Sequence, residues 1–139
     1  MIEIEFKKEA TEDDYKTIGM EFEKHSKENG ITCAYSPFTF VAKSDGELAG
    51  IITGNSYYKE VHIGDLIVLE KYRHMHIGSQ LMNTVEEYFK DKGFENINLS
   101  TYAFQAPEFY KKFGFKVDFI RENEHEPKLS KYYMSKKMI

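Results

Sequence analysis

The chain has 139 residues, the length of one domain, and at that size folding buries roughly two thirds of the unfolded surface. Its 11 Phe and 10 Tyr exclude a disordered chain, and 19 basic against 23 acidic residues, a net charge of −4, argue against nucleic-acid binding through bulk positive charge. The single cysteine, Cys33, excludes an internal disulfide and a cysteine-based zinc site, and no apolar run approaches the ~20 residues of a membrane span or forms a signal-peptide core. The expectation is one domain over residues 1–139, soluble and cytoplasmic, with neither nucleic acid nor membrane as a partner.

Ile2, Ile4 and Phe6 alternate with charged residues and predict a first strand. Thr11 opens a helix with Asp14 placed for a capping box; its apolar face is Tyr15, Ile18 and Phe22, and Gly30 lies beyond its end. The stretch from Ile31 to Pro37 is ambiguous. Strands follow at Phe38 to Lys43 and Leu48 to Tyr57, joined by Ser44-Asp45-Gly46-Glu47, whose Asp-Gly pair suits a hairpin turn with positive φ. A fourth strand, from Lys59 or Val61 to Leu69, is mostly apolar and reads as central. Ile77, Leu81, Met82, Val85, Tyr88 and Phe89 then fall on one face at helical spacing, with Gly93 as a C-terminal stop. Ile97 and Leu99 mark a fifth strand. Pro107 fits the first turn of a short helix ending at Gly114, and Phe115 to Arg121 and Lys131 to Met138 are the last strands. The string β-α-β-β-β-α-β-α-β-β is a mixed α/β (α+β) layer fold.

The chemistry concentrates where the fourth strand ends and the long helix begins. Lys71, Arg73, His74 and His76 fill a short loop before Ile77. A helix N-terminus offers unpaired amides and a positive dipole end, and Gly78 lets the backbone approach a ligand. The segment reads either as a phosphate or diphosphate site or as a solvated basic turn.

Two motifs bear on that choice. Leu66-Ile67-Val68, Tyr72-Arg73 and His76-Ile77-Gly78 resemble the acetyl-CoA-binding motif of the GNAT superfamily of N-acetyltransferases: a strand ending in Leu-x-Val, a Tyr-Arg pair, then Gly-x-Gly opening a helix. Ala106-Pro-Glu-Phe-Tyr110, followed by Gly114-Phe115, is similar to the family's second motif. The resemblance covers essentially the whole chain. It implies a central, mostly antiparallel twisted sheet, splayed between the fourth and fifth strands and flanked by about four helices. The sequence departs from the family at two places: His76 stands where the first glycine of Gly-x-Gly belongs, and Ala103 where many relatives carry Asn, a contact then lost or moved to Gln105.

The resemblance further implies transfer of an acetyl group from acetyl-CoA, as cosubstrate, to a primary amine by direct attack. The backbone of Leu66, Ile67 and Val68 would pair with the pantetheine arm. Arg73, His74, Met75, His76, Ile77, Gly78 and Ser79 would hold the pyrophosphate. Tyr110 matches the tyrosine that protonates the departing thiolate; its other reading is a core residue between Phe109 and Phe113. For the base, some relatives use a histidine on the fourth strand, and His62 lies there, sharing a face with Glu60, Gly64 and Leu66 if no bulge intervenes. Imidazole chemistry suits a base near neutrality, although a solvated histidine satisfies the same pattern. Asp65 points the other way unless a bulge falls at Gly64, which reads equally as a packing glycine. Asn98, where some relatives place Glu, cannot take a proton. Glu21, Glu23 and Glu28, with Tyr35 and Phe38, and the Glu122, Glu124 and Glu126 loop, are an acidic and aromatic set that would suit a cationic amine. His74 and His76 alone do not make a metal site. A homodimer stays open, and the rival function is a non-catalytic CoA-binding or regulatory module on the same fold.

Overall fold

The computed structural model describes residues 1–138, which form two compact units, Met1–Ala34 and the remainder from Tyr35. In the first unit, helix α1 runs Glu12–Glu28. Its capping box forms as the sequence predicts: Asp14 N donates to Thr11 Oγ1, and Thr11 N donates to the Asp14 carboxylate, each at 3.1 Å. The amide of Thr11 is the main reason the Asp14 carboxyl lies below its usual value. The predicted strand at Ile2–Phe6 is absent. Alternation supplies a face, but a strand exists only through a ladder, and none of the described strands pairs with this segment.

The second unit is one six-stranded sheet with strands β1 (Ser36–Ser44), β2 (Glu47–Tyr57), β3 (Glu60–Val68), β4 (Asn96–Tyr102), β5 (Lys116–Arg121) and β6 (Lys131–Lys137). Their order is β1-β2-β3-β4-β6-β5, and only β3 and β4 run parallel. Helix α2 (Ile77–Phe89) makes the parallel crossover, and α3 (Pro107–Lys112) links β4 to β5. The described residues thus hold three α-helices, not about four. Residues 31–35 are irregular and too few for a further helix, and β1 opens directly after them at Ser36. The β1–β2 hairpin turns on Asp45 (φ 50°) and Gly46 (φ 80°), the two positive angles that the Asp-Gly pair anticipates.

The core lies between α2 and one sheet face. Leu81, Met82, Val85 and Phe89 are buried against Ile52, Val61, Ile63, Ile97, Leu99 and Met134. Full burial of such side chains contributes roughly 1.5–3 kcal/mol each, so α2 is held mainly by this stripe. Tyr88, counted on the apolar face, is half exposed; its ring packs edge-on to Phe40 and lies under Lys92 Nζ. Phe38, considered for an acceptor wall, packs instead against Phe89 within the core.

Gly54 of β2 sits where no side chain fits. A Cβ there would run into the carbonyl oxygen of His62 and the Phe38 ring. Gly54→Ala is expected to cost at least ~3 kcal/mol, the upper end of overpacking penalties, because one obstacle is backbone. Urea denaturation checks this; a loss under about 1 kcal/mol would mean the strands can spread at little cost.

Candidate active site

The β3–β4 ladder contains only the pairs Glu60–Asn96, Val61–Ile97 and His62–Asn98. Beyond His62 and Asn98 the two strands separate. This matches the splay that the family resemblance implies between the fourth and fifth strands, here β3 and β4 because the first predicted strand does not form. The cause is visible on β3. Between the pairs Ile52–Leu66 and Gly54–Ile63, β3 has two residues, Gly64 and Asp65, opposite the single Thr53. Such a bulge bends the strand and ends its pairing. Thr53 Oγ1 fastens it, accepting from Asp65 N at 3.1 Å. Gly64 has no positive φ; what it provides is room, since a Cβ would lie 3.3 Å from Thr53 Oγ1.

The bulge corrects the expected alternation. Glu60 and His62 keep the face away from α2, but Leu66 turns to the core, where it packs against the buried cluster. Asp65 moves to the face of Thr53 and His62. The bulge also sorts the backbone of the three predicted cofactor residues. Leu69 N donates to Ala49 O at 2.8 Å. By the two-residue period, Ile67 then spends its amide and carbonyl on β2, while Leu66 and Val68 point theirs into the splay. Ile67 is therefore removed from the set whose backbone is open to a ligand.

At the end of β3 a short 3₁₀ turn, Glu70–Tyr72, leads to the cationic loop. The Tyr-Arg pair staples it. The Tyr72 hydroxyl donates to the Glu47 carboxylate, and Arg73 Nε donates to Val68 O at 3.2 Å. Tyr72, and then Lys71, hold the Glu47 carboxyl below its ordinary value; the same hydrogen bond is the main cause of the raised Tyr72 hydroxyl. His74 (φ 68°) and His76 (φ 59°) are both left-handed, a region that glycine enters freely and histidine tolerates better than most residues. Among the described residues, no hydrogen-bond acceptor meets the amides of His74, Met75, His76, Ile77, Gly78 and Ser79; the first amide satisfied within α2 is Gln80 N, on His76 O at 3.0 Å. Six consecutive donors at a helix start make a concave positive site suited to a diphosphate.

An L-residue in the left-handed region costs about 1–2 kcal/mol, and glycine returns part of that gain to the unfolded chain. His76→Gly is therefore expected to raise stability by up to about 1 kcal/mol without changing the loop. A lower urea midpoint would show that the imidazole holds the loop by contacts of its own.

His62 lines an open cleft of about 1000 Å³ with Glu60, Asn96, Asn98, Ser100, Tyr133 and Ser135 among its walls. Its Nδ1 is 2.7 Å from Asn98 Oδ1, and Asn98 Nδ2 donates to Asn96 Oδ1 at 3.1 Å. On β2, Asn55 pairs across from His62 and accepts from the Tyr35 hydroxyl at 2.9 Å. Tyr110 lies elsewhere. It is buried on α3 in the core cluster, edge-on to Phe109 and Phe115, and is not among the cleft-lining residues. Burial pushes its hydroxyl up to about 12. That hydroxyl makes no hydrogen bond to the described residues, yet is not sealed from solvent. Gln105, considered as a substitute for the family's asparagine, uses its side-chain oxygen to close the turn on Tyr102 N. Among the described residues, no group of three His, Cys, Asp or Glu side chains can hold a metal ion, and no helix is long and apolar enough to cross a membrane. Neither Asn98 nor Thr53 carries a local sequence signal, since each works through a partner on another strand.

The fold recurs in solved structures, and the sequence matches a known family. The family model of the acetyltransferase (GNAT) family matches residues 4–115. Over 80 residues the chain is 30% identical to blasticidin-S acetyltransferase of Streptomyces morookaense, a match covering 57% of this chain and 59% of that one, so less than two thirds of the relative. The crystal structure of an acetyltransferase from Bacillus cereus superposes with a TM-score of 0.75 at 28% identity, over 96% of this chain and 97% of the other. An aminoglycoside 6'-N-acetyltransferase complexed with coenzyme A shares the fold, with a TM-score of 0.65 at 21% identity over 74% and 73% of the two chains. With a bulged β3 parting from β4, a run of free amides at the start of α2 and a sequence match over most of its length, the chain belongs to the GNAT acetyltransferase family.

Proposed function

We propose that the chain is an N-acetyltransferase that moves the acetyl group of acetyl-CoA to a primary amine. The observation that carries this reading is the run of six unpaired amides, His74 to Ser79, at the end of an edge of β3 that β4 leaves unpaired. The amides fit a diphosphate. The Leu66 and Val68 backbone groups that face the splay fit the amide groups of a pantetheine arm, with Arg73 fixing the Val68 carbonyl. The family match runs on both sides of Tyr35, which supports reading residues 1–139 as one acetyltransferase domain.

The thioester supplies an activated acetyl group. Transfer forms one N–C bond and breaks one C–S bond; a proton leaves the amine and a proton reaches the sulfur. His62 Nε2 takes the first, directly or through one water. Tyr110 donates the second. That role requires the bound thioester to reach past the parting of β3 and β4 to Tyr110, whose hydroxyl is not sealed from solvent. Burial keeps Tyr110 protonated to about pH 12, well past the pH at which amines become neutral. An acceptor screen reading free CoA release tests the proposal. Turnover of at least one amine class, abolished in His62→Gln, is expected. Acetyl-CoA binding with no turnover across the panel would leave a CoA-binding module.

A further inference from the structure

We propose that Asn98 is the positioning residue that holds His62 as its Nδ1–H tautomer, so that Nε2 presents its lone pair to the incoming amine. This rests on the reading of His62 as the base. The two residues form the last rung of the β3–β4 ladder, at the root of the splay, so their backbones are tied where the strands begin to part. Asn98 Nδ2 is occupied by Asn96 Oδ1 at 3.1 Å. That turns Asn98 Oδ1 toward His62 Nδ1, and a 2.7 Å contact to an oxygen acceptor requires the ring nitrogen to donate. In a neutral imidazole, a proton on Nδ1 leaves Nε2 as the acceptor.

Free imidazole side chains favour the opposite tautomer, with the proton on Nε2, which cannot accept from an amine. A base on this strand therefore needs an acceptor at Nδ1, and Asn98 supplies one without a charge. The side chain that cannot itself take a proton selects which nitrogen of its neighbour does. The chain of amides ends at Asn96, which occupies the next position on the same face of β4, so the arrangement is set by strand alternation. The charged groups on the same cleft are Glu60 on β3, Glu95 ahead of β4, Lys116 and Asp118 on β5 and Lys137 on β6. Lys59 pairs with Glu95, and Lys116 with Asp118, at its rim.

Long-range ¹H–¹⁵N spectra of the full-length protein at about pH 9, where imidazoles are neutral, read the tautomer directly. His62→Gln assigns the signal among the five histidines. The expected result is an Nδ1–H ring in the wild type and a shift toward Nε2–H in Asn98→Leu. Asn98→Asp, which keeps an acceptor at the same place, should retain Nδ1–H and covers the case in which Leu fails to fold. Wrong-tautomer variants of hydrolase triads lose about 10⁴-fold. Here the ring is released rather than locked wrongly, so Asn98→Leu should lower kcat roughly 10- to 100-fold with KM for acetyl-CoA unchanged. An Nε2–H ring in the wild type, or a full kcat in an Asn98→Leu protein whose tautomer has switched, would overturn the role of Asn98 while leaving His62 as base. Full turnover in His62→Gln would overturn the base itself, and the catalytic use of Asn98 with it.

Discussion

Tyr110→Phe should slow acetyl transfer by roughly 10²- to 10⁴-fold while acetyl-CoA binding holds, the loss typical of a removed general acid. The substitution is nearly silent for packing. Tyr110 is 8% exposed, and its ring meets Phe109 at 5.2 Å and Phe115 at 5.9 Å, contacts that phenylalanine keeps. Its hydroxyl makes no hydrogen bond to the described residues, so no partner is orphaned. A second signature reads the burial of this hydroxyl. Burial raises the folded-state value to about 12, while the unfolded chain releases the proton near 10. Between those values the folded state holds more protons than the unfolded one, so stability falls as pH rises. The contribution is intact below about pH 10, and by pH 11 about 1.4 kcal/mol of it is lost. Urea curves at pH 8 and pH 11 should show this decline in the wild type and a decline smaller by that amount in the variant. Phe109→Leu is the control, expected to lower stability with turnover per folded molecule unchanged. A Tyr110→Phe enzyme with full single-turnover rate would return the residue to core packing.

What the sequence reveals of this fold depends on how far each signal reaches along the chain. Helix α2 is legible because Leu81, Met82, Val85 and Phe89 repeat at the helical period and all four are buried. The hairpin is legible because Asp45-Gly46 is chemistry of the turn itself. Gly64 hints at a bulge, but only the pairing with Thr53 shows that the extra residue falls at Asp65 and turns Leu66 inward. A one-residue slip reverses every later side chain, and no local pattern announces it. The same limit hides Asn98. Its partner is 36 positions away, and the contact follows from parallel register rather than spacing. Residues Ile2 to Phe6 show the converse: local alternation is strong, but a ladder needs a neighbour, and the described strands provide none for it. At His76 the sequence departs from the family motif, yet the backbone, at φ 59°, takes a left-handed conformation that glycine adopts freely.

Gly78→Asp should abolish measurable acetyl-CoA binding while leaving the fold as stable as before. A Cβ at this position meets Phe109 at 3.5 Å and Val68 at 3.8 Å, ordinary contacts that require no movement. A carboxylate in the first turn of α2 is also favoured by the helix dipole, by about 0.3–1 kcal/mol. Protein stability is therefore expected to hold or rise slightly. Binding moves the opposite way. A unit negative charge about 4 Å from another costs about 4 kcal/mol at an effective dielectric constant of 20, or ~10³-fold, before counting the second phosphate. The same charge offsets the positive field of the six open amides. Gly78→Asn separates bulk from charge, since it has nearly the same volume and no charge. It should weaken binding tenfold or less, and the gap between the two variants should narrow as salt is raised. Isothermal titration with acetyl-CoA, alongside urea denaturation of both variants, decides the matter. If a folded Gly78→Asp protein binds acetyl-CoA as the wild type does, the diphosphate does not sit at the start of α2, and the amides of His74 to Ser79 serve some other anion or none.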